Sequence, residues 1–343
     1  MKKKILFICK KRNSSYDVTG KSYGLLNSCR LVGEALHCLY DDIDFKVVVV
    51  NDNNDIDREV YNYKPTHVII EALWVVPSKF EQLLPKYKGI KWTVRLHSKA
   101  PFIANEGVAF EWMNEYTRLK NVYENFSVSV NDKDFAKDLT DLFDSTVDWL
   151  PNIYTQEHEC GLQEEARDPE VINIGCFGAI RPLKNHLEQA IAAIIFADNM
   201  DKKLRFHINA ERVEQRGENV LKNLRALFEK TKHELVEHPW YEHQDFIHVV
   251  RKMDIGMQIS FSETFNIVAA DFVTNNVPVI VSDEIAWASR FYKVSTTNTT
   301  KIVRALRFAW VMKCVGLQGL NLRGLRKHNN KAIVAWMRYI FSR

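Results

Sequence analysis

Glu263 and Asp271 stand eight residues apart in the run ISFSETFNIVAADFVTNNVPVIVSDE, two carboxylates of the kind that accept hydrogen bonds from sugar hydroxyls. A strand pattern ends near Ser260, Glu263 falls in the turn, Asp271 lies in a helical stretch and VPVIV reads as the next strand. If both acids lie on or near one helix, they differ by about 80° in direction and about 12 Å in height. One carboxylate could then reach a donor sugar while the other reaches a ribose beyond a pyrophosphate. The plain alternative is an amphipathic core helix with two solvated acids. Upstream, GCFGAIRPLKNHLEQAIAAI is a strand, a small-residue loop with Gly178, and a helix start. That arrangement cradles phosphate with backbone N–H groups and a helix dipole. Arg181 and Lys184 belong to the same loop, as phosphate partners or as exposed loop cations. In the first half of the chain, KWTVRLHSKAPFIANEG sets His97 just after a strand. Asn105-Glu106-Gly107 follows as a turn and helix start, where Glu106 orients an acceptor hydroxyl or caps its helix.

Other chemistries fit less well. Gly20-Lys21-Ser22 before a helix resembles the end of a P-loop, but Ser15 stands where that motif needs glycine, and THVIIEA ends in Glu71 rather than a Walker-B aspartate. Asp42-Ile43-Asp44 and Asp55-Ile56-Asp57 could suggest a divalent-cation site, yet both read as solvated turns in connector sequence. The six cysteines are scattered without CxxC or Cys/His spacing, which argues against a zinc module or a disulfide scaffold and fits a reducing cytoplasm. No apolar run approaches bilayer length, and the start MKKKILFICKKRN reads as a first strand rather than a signal peptide.

These residues need elements to position them. At 343 residues the chain is long enough for two cores, with 46% apolar and 26% charged residues as in ordinary globular proteins. The runs KILFIC, FKVVVVN, THVIIEA, KWTVRLH and FSVSVN alternate with helical periods such as SYGLLNSCRLVGEALHCLY. The alternation stops in the polar stretch TQEHECGLQEEARDPE and restarts at VINIGCFGAI. The expected fold is α/β, with two Rossmann-like domains facing each other across a cleft: 1–152, a linker at 153–169, and 170–315, with a basic helical tail at 316–343. The net charge of +4 conceals an asymmetry. From Lys301 onward there are ten Lys or Arg and no acid, so the first 300 residues carry 37 basic against 43 acidic groups. That stretch also holds Phe308, Trp310, Trp336, Tyr339 and Phe341, a mixture suited to an anionic polymer or a lipid surface, or to a packed helix pair with a solvated face.

The segment around Glu263 resembles the S-x-x-E-G-F-G-x-x-x-x-E-A…G-x-P-V-I-x-S signature of glycosyltransferase family 4, whose members have the two-Rossmann GT-B fold. The resemblance implies that Glu263 meets the hydroxyls of the transferred sugar and that Asp271, standing where the family has a second glutamate, grips the ribose. Thr264, Phe265 and Asn266 fill the donor-binding turn, with Thr264 and Asn266 in place of the usual glycines. GCFGAIRPLKN is similar to the family's G-R-L-x-x-x-K-N segment: Lys184 falls on the lysine that meets the donor pyrophosphate, Ala179 on the usual arginine, and Arg181 takes over that role. Such a cation pair would stabilise charge growing on the leaving diphosphate. His97 corresponds to a strand-end histidine near the transferred sugar. Gly20 and Gly24 let the first loop approach donor phosphates or acceptor, with Lys21 beside Glu106 on the acceptor side.

The family implies a UDP-sugar donor, retention by front-face attack with the leaving phosphate taking the acceptor's proton, and no metal or other cofactor. RLHSKAPFIANEG also resembles segments of bacteriophage glycosyltransferases. With the basic tail, this makes a 5-hydroxymethylated pyrimidine in DNA the favoured acceptor. The alternatives are a glycan or lipid-linked acceptor at a membrane surface, or a nucleotide-sugar binding protein without catalysis.

Overall fold

A computed structural model describes residues 2–11, 23–155, 168–317 and 319–342. The chain divides into two compact units, Met1–Thr155 with His328–Arg343, and Gln156–Lys327.

The first unit is a parallel sheet of β1 (Lys3–Lys10), β2 (Ile43–Val50), β3 (His67–Glu71), β4 (Lys91–Leu96), β5 (Phe126–Val130) and β6 (Asp148–Trp149), in the order β2-β1-β3-β4-β5-β6. Between them run α1 (Tyr23–Leu39), α2 (Ile56–Tyr63), α3 (Pro77–Lys86), α4 (Ala100–Ile103), α5 (Ala109–Val122) and α6 (Lys133–Phe143). Because strand side chains alternate, the buried run of β1 feeds two cores. Leu6 and Ile8 join Val68, Ile70, Trp92, Phe80 and Tyr116 on one face. Ile5 and Phe7 join Cys29, Val32 and Leu36 of α1 on the other.

The second unit has its own parallel sheet, β12-β11-β10-β7-β8-β9. Its strands are β7 (Val171–Gly175), β8 (Lys203–Asn209), β9 (Glu234–His238), β10 (Ile255–Gln258), β11 (Val279–Ser282) and β12 (Lys293–Val294). Its helices are α7 (His186–Asn199), α8 (Glu218–Glu229), α9 (His243–Arg251), α10 (Ile267–Thr274) and α11 (Thr299–Cys314), followed by α12 (Leu320–Phe341). Counted within the unit, the strand order is 3-2-1-4-5-6, the doubly wound order with a switch point between its first and fourth strands.

Three stretches can now be described. The segment 316–343 contributes a core face: Ala332, Trp336, Tyr339 and Ile340 of α12 pack with Phe7 and Ile69, and Trp336 Nε1 donates to the Pro151 carbonyl at 2.8 Å. Its 3.6-residue period sends these residues inward and leaves Arg323, Arg326, Lys327, Lys331 and Arg338 exposed. Trp310 and Phe308 likewise lie partly buried against the second core, so of the five aromatic residues only Phe341 is exposed, as in a packed helix pair with a solvated face. In the expected linker, Ile153 and Tyr154 are buried, and 156–167 lie outside the described residues. Of the two D-x-D runs, Asp44 belongs to β2, whereas Asp55 and Asp57 sit at the start of α2, where Asp57 pairs with Lys79 at 3.1 Å.

Candidate functional site

Parallel doubly wound sheets bind ligands beyond the carboxyl ends of the strands at the switch point. In the second unit that point lies between β7 and β10, and it collects the loops that carry Gly178, Arg181, Lys184, Glu263 and Asn266. Gly178 follows β7 with φ +120°, a conformation an L side chain rarely adopts, and its N–H donates to Asn209 Oδ1 at 3.0 Å. A tight 3-10 turn over Pro182–Lys184 then presents Lys184. The turn is fastened to the end of β10: Phe261 N donates to the Leu183 carbonyl at 2.9 Å, and Gln189 both donates to the Lys184 carbonyl at 2.8 Å and accepts from Ile259 N at 2.9 Å. Asn185, left-handed at φ 57°, donates to the carbonyls of Ile259 and Thr296.

Those bonds bring Lys184 Nζ onto Glu263 Oε1 as an ion pair whose side chains are 12% and 10% exposed. Burial pushes the Glu263 carboxyl up, but Lys184 and then Arg181 outweigh it and hold it below the ordinary glutamate value. Arg181 itself pairs with Glu214 at 3.2 Å, and Glu214 also holds Arg212, whose guanidinium lies over the Trp240 ring at 4.6 Å. The site therefore sets three cations, Lys184, Arg181 and Arg212, against two carboxylates, Glu263 and Glu214, at the mouth of a glycine turn, an arrangement able to exchange internal partners for the oxygens of an anion.

Glu263 lies before α10, not on it, so the helical spacing expected between Glu263 and Asp271 does not apply and each has its own partner. Thr264 is half-buried and Phe265 buried, its carbonyl accepting from Trp287 Nε1 at 2.7 Å. Asn266, standing where a glycine was expected, has φ 61°, which asparagine tolerates better than most side chains. It also caps α10, accepting from Ala269 N at 2.9 Å, while its amide donates to Gln258 Oε1. Asp271 lies within α10, 1% exposed, and accepts from His243 Nε2 at 2.8 Å. His243, the first residue of α9, was not singled out from sequence; a histidine opening a helix carries no signal without the fold that sets α9 against α10.

In the first unit the structure brings His97 to Glu71 at the carboxyl ends of β4 and β3. Glu71 and Arg95 are register partners on adjacent strands, both 0% exposed, with Arg95 Nη1 at 3.1 Å from Glu71 Oε1. Arg95 further donates to the Leu150 carbonyl at 2.8 Å and to Asn152 Oδ1 at 2.5 Å, and Asn131 lies 3.4 Å from His97 Nδ1. Burial, then the Arg95 charge, lowers the His97 imidazole below its usual value. Burial would raise Glu71, but Arg95 and His97 hold it low. Glu106 is exposed in the turn before α5, whose N-cap position is Val108. Gly20 and Lys21 lie outside the described residues.

No protein-family model matches the sequence, and no curated sequence does. Solved structures match over nearly the whole chain. A trehalose-6-phosphate synthase studied for glycosyl transfer with retention has TM-score 0.68 at 11% identity, covering 98% of each chain. The α,α-trehalose 6-phosphate synthase of Burkholderia multivorans has TM-score 0.65 at 12% identity, covering 99% of this chain and 96% of that one. The Escherichia coli structure bound with UDP-2-fluoro glucose has TM-score 0.64 at 10% identity, covering 98% of both. The chain thus has the GT-B fold of two Rossmann-like α/β domains, as these trehalose-phosphate synthase structures do. Among the described residues no group of three or more His, Cys, Asp and Glu is placed to hold a metal ion, and no helix is long and apolar enough to cross a membrane.

Proposed function

We propose that the protein is a glycosyltransferase that takes a sugar from a nucleotide donor, a UDP-sugar, bound at the β7/β10 switch point of the second unit. The observation that carries this reading is the Lys184–Glu263 pair, held between two pinned loops beside the left-handed turn at Gly178. On binding, the donor diphosphate displaces Glu263 and Glu214 from Lys184 and Arg181, and Glu263 is freed to accept hydrogen bonds from the transferred sugar. Both cations then stabilise the charge on the leaving diphosphate in a site partly withdrawn from water, where such interactions are strong. Asp271 takes the ribose. In the first unit, Glu71 holds the ring of His97, which we assign to the acceptor side. Retention, with the leaving phosphate accepting the proton of the acceptor, fits a site whose carboxylates are committed to binding; the similar structures include an enzyme of retaining transfer and one bound with UDP-2-fluoro glucose.

For the acceptor we favour a 5-hydroxymethylated pyrimidine in DNA. Support comes from the acid-free stretch after residue 300, whose Arg304, Arg307, Arg323, Arg326, Lys327, Lys331 and Arg338 side chains are exposed. Because its aromatic residues mostly point inward, that surface offers little for insertion into a lipid bilayer. The test incubates the protein with a panel of nucleotide sugars, with and without hydroxymethylated DNA, and reads nucleoside diphosphate release and product mass. UDP release with added sugar mass on DNA is the expected result. No turnover in any lane removes the enzyme reading. Turnover only with glycan or lipid acceptors, or DNA affinity insensitive to salt, removes the DNA acceptor.

A further inference from the structure

We propose that His243 is a positioning residue that aims the Asp271 carboxylate at the ribose diol of the nucleotide donor; the inference rests on the donor-site reading above. The starting point is a buried acid. Asp271 sits on α10 and is 1% exposed. A carboxylate withdrawn from water to that degree must be hydrogen-bonded or it gives up its charge. The structure supplies His243 Nε2 at 2.8 Å, a charge-assisted hydrogen bond from the first residue of a neighbouring helix.

The choice of histidine matters chemically. A lysine or arginine would bring a permanent charge and neutralise the acid. An imidazole instead donates a single N–H through Nε2, from a rigid ring whose direction fixes the carboxylate it meets. The partner also compensates for length. Aspartate has one methylene less than the glutamate expected at this position, so its carboxylate reaches less far and its rotamer must be set from outside. The geometry sets it: α9 begins where the chain returns from β9, and its first side chain meets Asp271 on α10. Both residues lie in the unit that carries Lys184 and Glu263.

The experiment measures UDP and 2′,3′-dideoxy-UDP binding calorimetrically to the wild-type chain, His243→Phe, His243→Asn, His243→Gln and Asp271→Asn, with thermal melting of each variant as the check on folding. His243→Phe should weaken UDP about tenfold and leave dideoxy-UDP binding unchanged, because the deleted interaction serves the diol alone. Gln reaches as far as Nε2 and should retain affinity within about threefold; Asn falls short and should behave like Phe. Asp271→Asn should lose its discrimination between the two nucleotides. Equal weakening of both ligands by His243→Phe, or by Asn where Phe fails to fold, would show that His243 merely supports the local fold and overturns the inference. Unchanged UDP affinity overturns it too, without touching the donor-site reading. A wild-type chain that binds no nucleoside diphosphate overturns both.

Discussion

Each unit of the molecule buries a glutamate against a cation at the carboxyl edge of its sheet, and the two pairs are built in opposite ways. In the first unit Glu71 and Arg95 come from adjacent strands in register, sealed from solvent, with the Trp336 ring 5.2 Å from the guanidinium. In the second, Glu263 and Lys184 come from loops, joined by a single lysine contact that keeps some access to water. A pair sealed from solvent offers neither charge to a ligand, whereas a loop pair partly open to water can exchange partners. The same chemistry thus serves as architecture in one unit and as an exchangeable anion site in the other.

The largest test of that contrast is Arg95→Met, which strands a buried Glu71 and should cost about 3–5 kcal/mol of stability in a denaturant melt. The double change Glu71→Leu with Arg95→Met should recover part of the loss; no recovery would mean that Arg95 acts mainly through Leu150 and Asn152. Glu263→Gln should lower turnover at least about a hundredfold, or about 2.7 kcal/mol in the barrier, while stability falls by no more than about 1–2 kcal/mol. A variant that keeps its rate, or that unfolds as readily as Arg95→Met, would erase the distinction.

Acid tests the pairs together. Both carboxylates are held below the ordinary glutamate value, so they stay ionised as pH falls to 5 and lose their contribution only on further acidification. The histidines behave otherwise. Burial lowers His186 and His207 to about 3, so between the unfolded value near 6.5 and the folded one the unfolded chain binds more protons. Stability then falls with pH, by about 2 kcal/mol per histidine at pH 5. Wild type and Glu263→Gln should therefore lose melting temperature in parallel from pH 7 to 5; divergence would place a carboxylate in that window. The smallest effect concerns the loop itself. Asn266→Ala should cost about 1–2 kcal/mol through the lost cap and the left-handed backbone, and Asn266→Gly markedly less, as read by thermal melting.

The strands that lie between two cores were legible because burial on both faces leaves continuous apolar runs such as KILFIC and VPVIV. The two-residue strands β6 and β12 left no such run. Lys184 and Glu263 could be singled out because each sits in a loop with a recognisable pattern, although only the fold brings them together. Glu71 was passed over as a failed Walker-B acid, since its meaning depends on Arg95 across a strand register. Asn266 looked like a defect until its φ was known. The final helix stayed open between a packed pair and a partner surface for a related reason: periodicity reveals that one face is buried but not which core it joins.

α12 returns the chain to the first unit after residues 156–327 have intervened. During synthesis the first sheet emerges with one face carrying α1 but still lacking Ala332, Trp336, Tyr339 and Ile340, and that face is completed only when α12 follows. The second unit can therefore close while the first still waits, and a nascent chain halted before α12 leaves part of an apolar face open to chaperones or to aggregation.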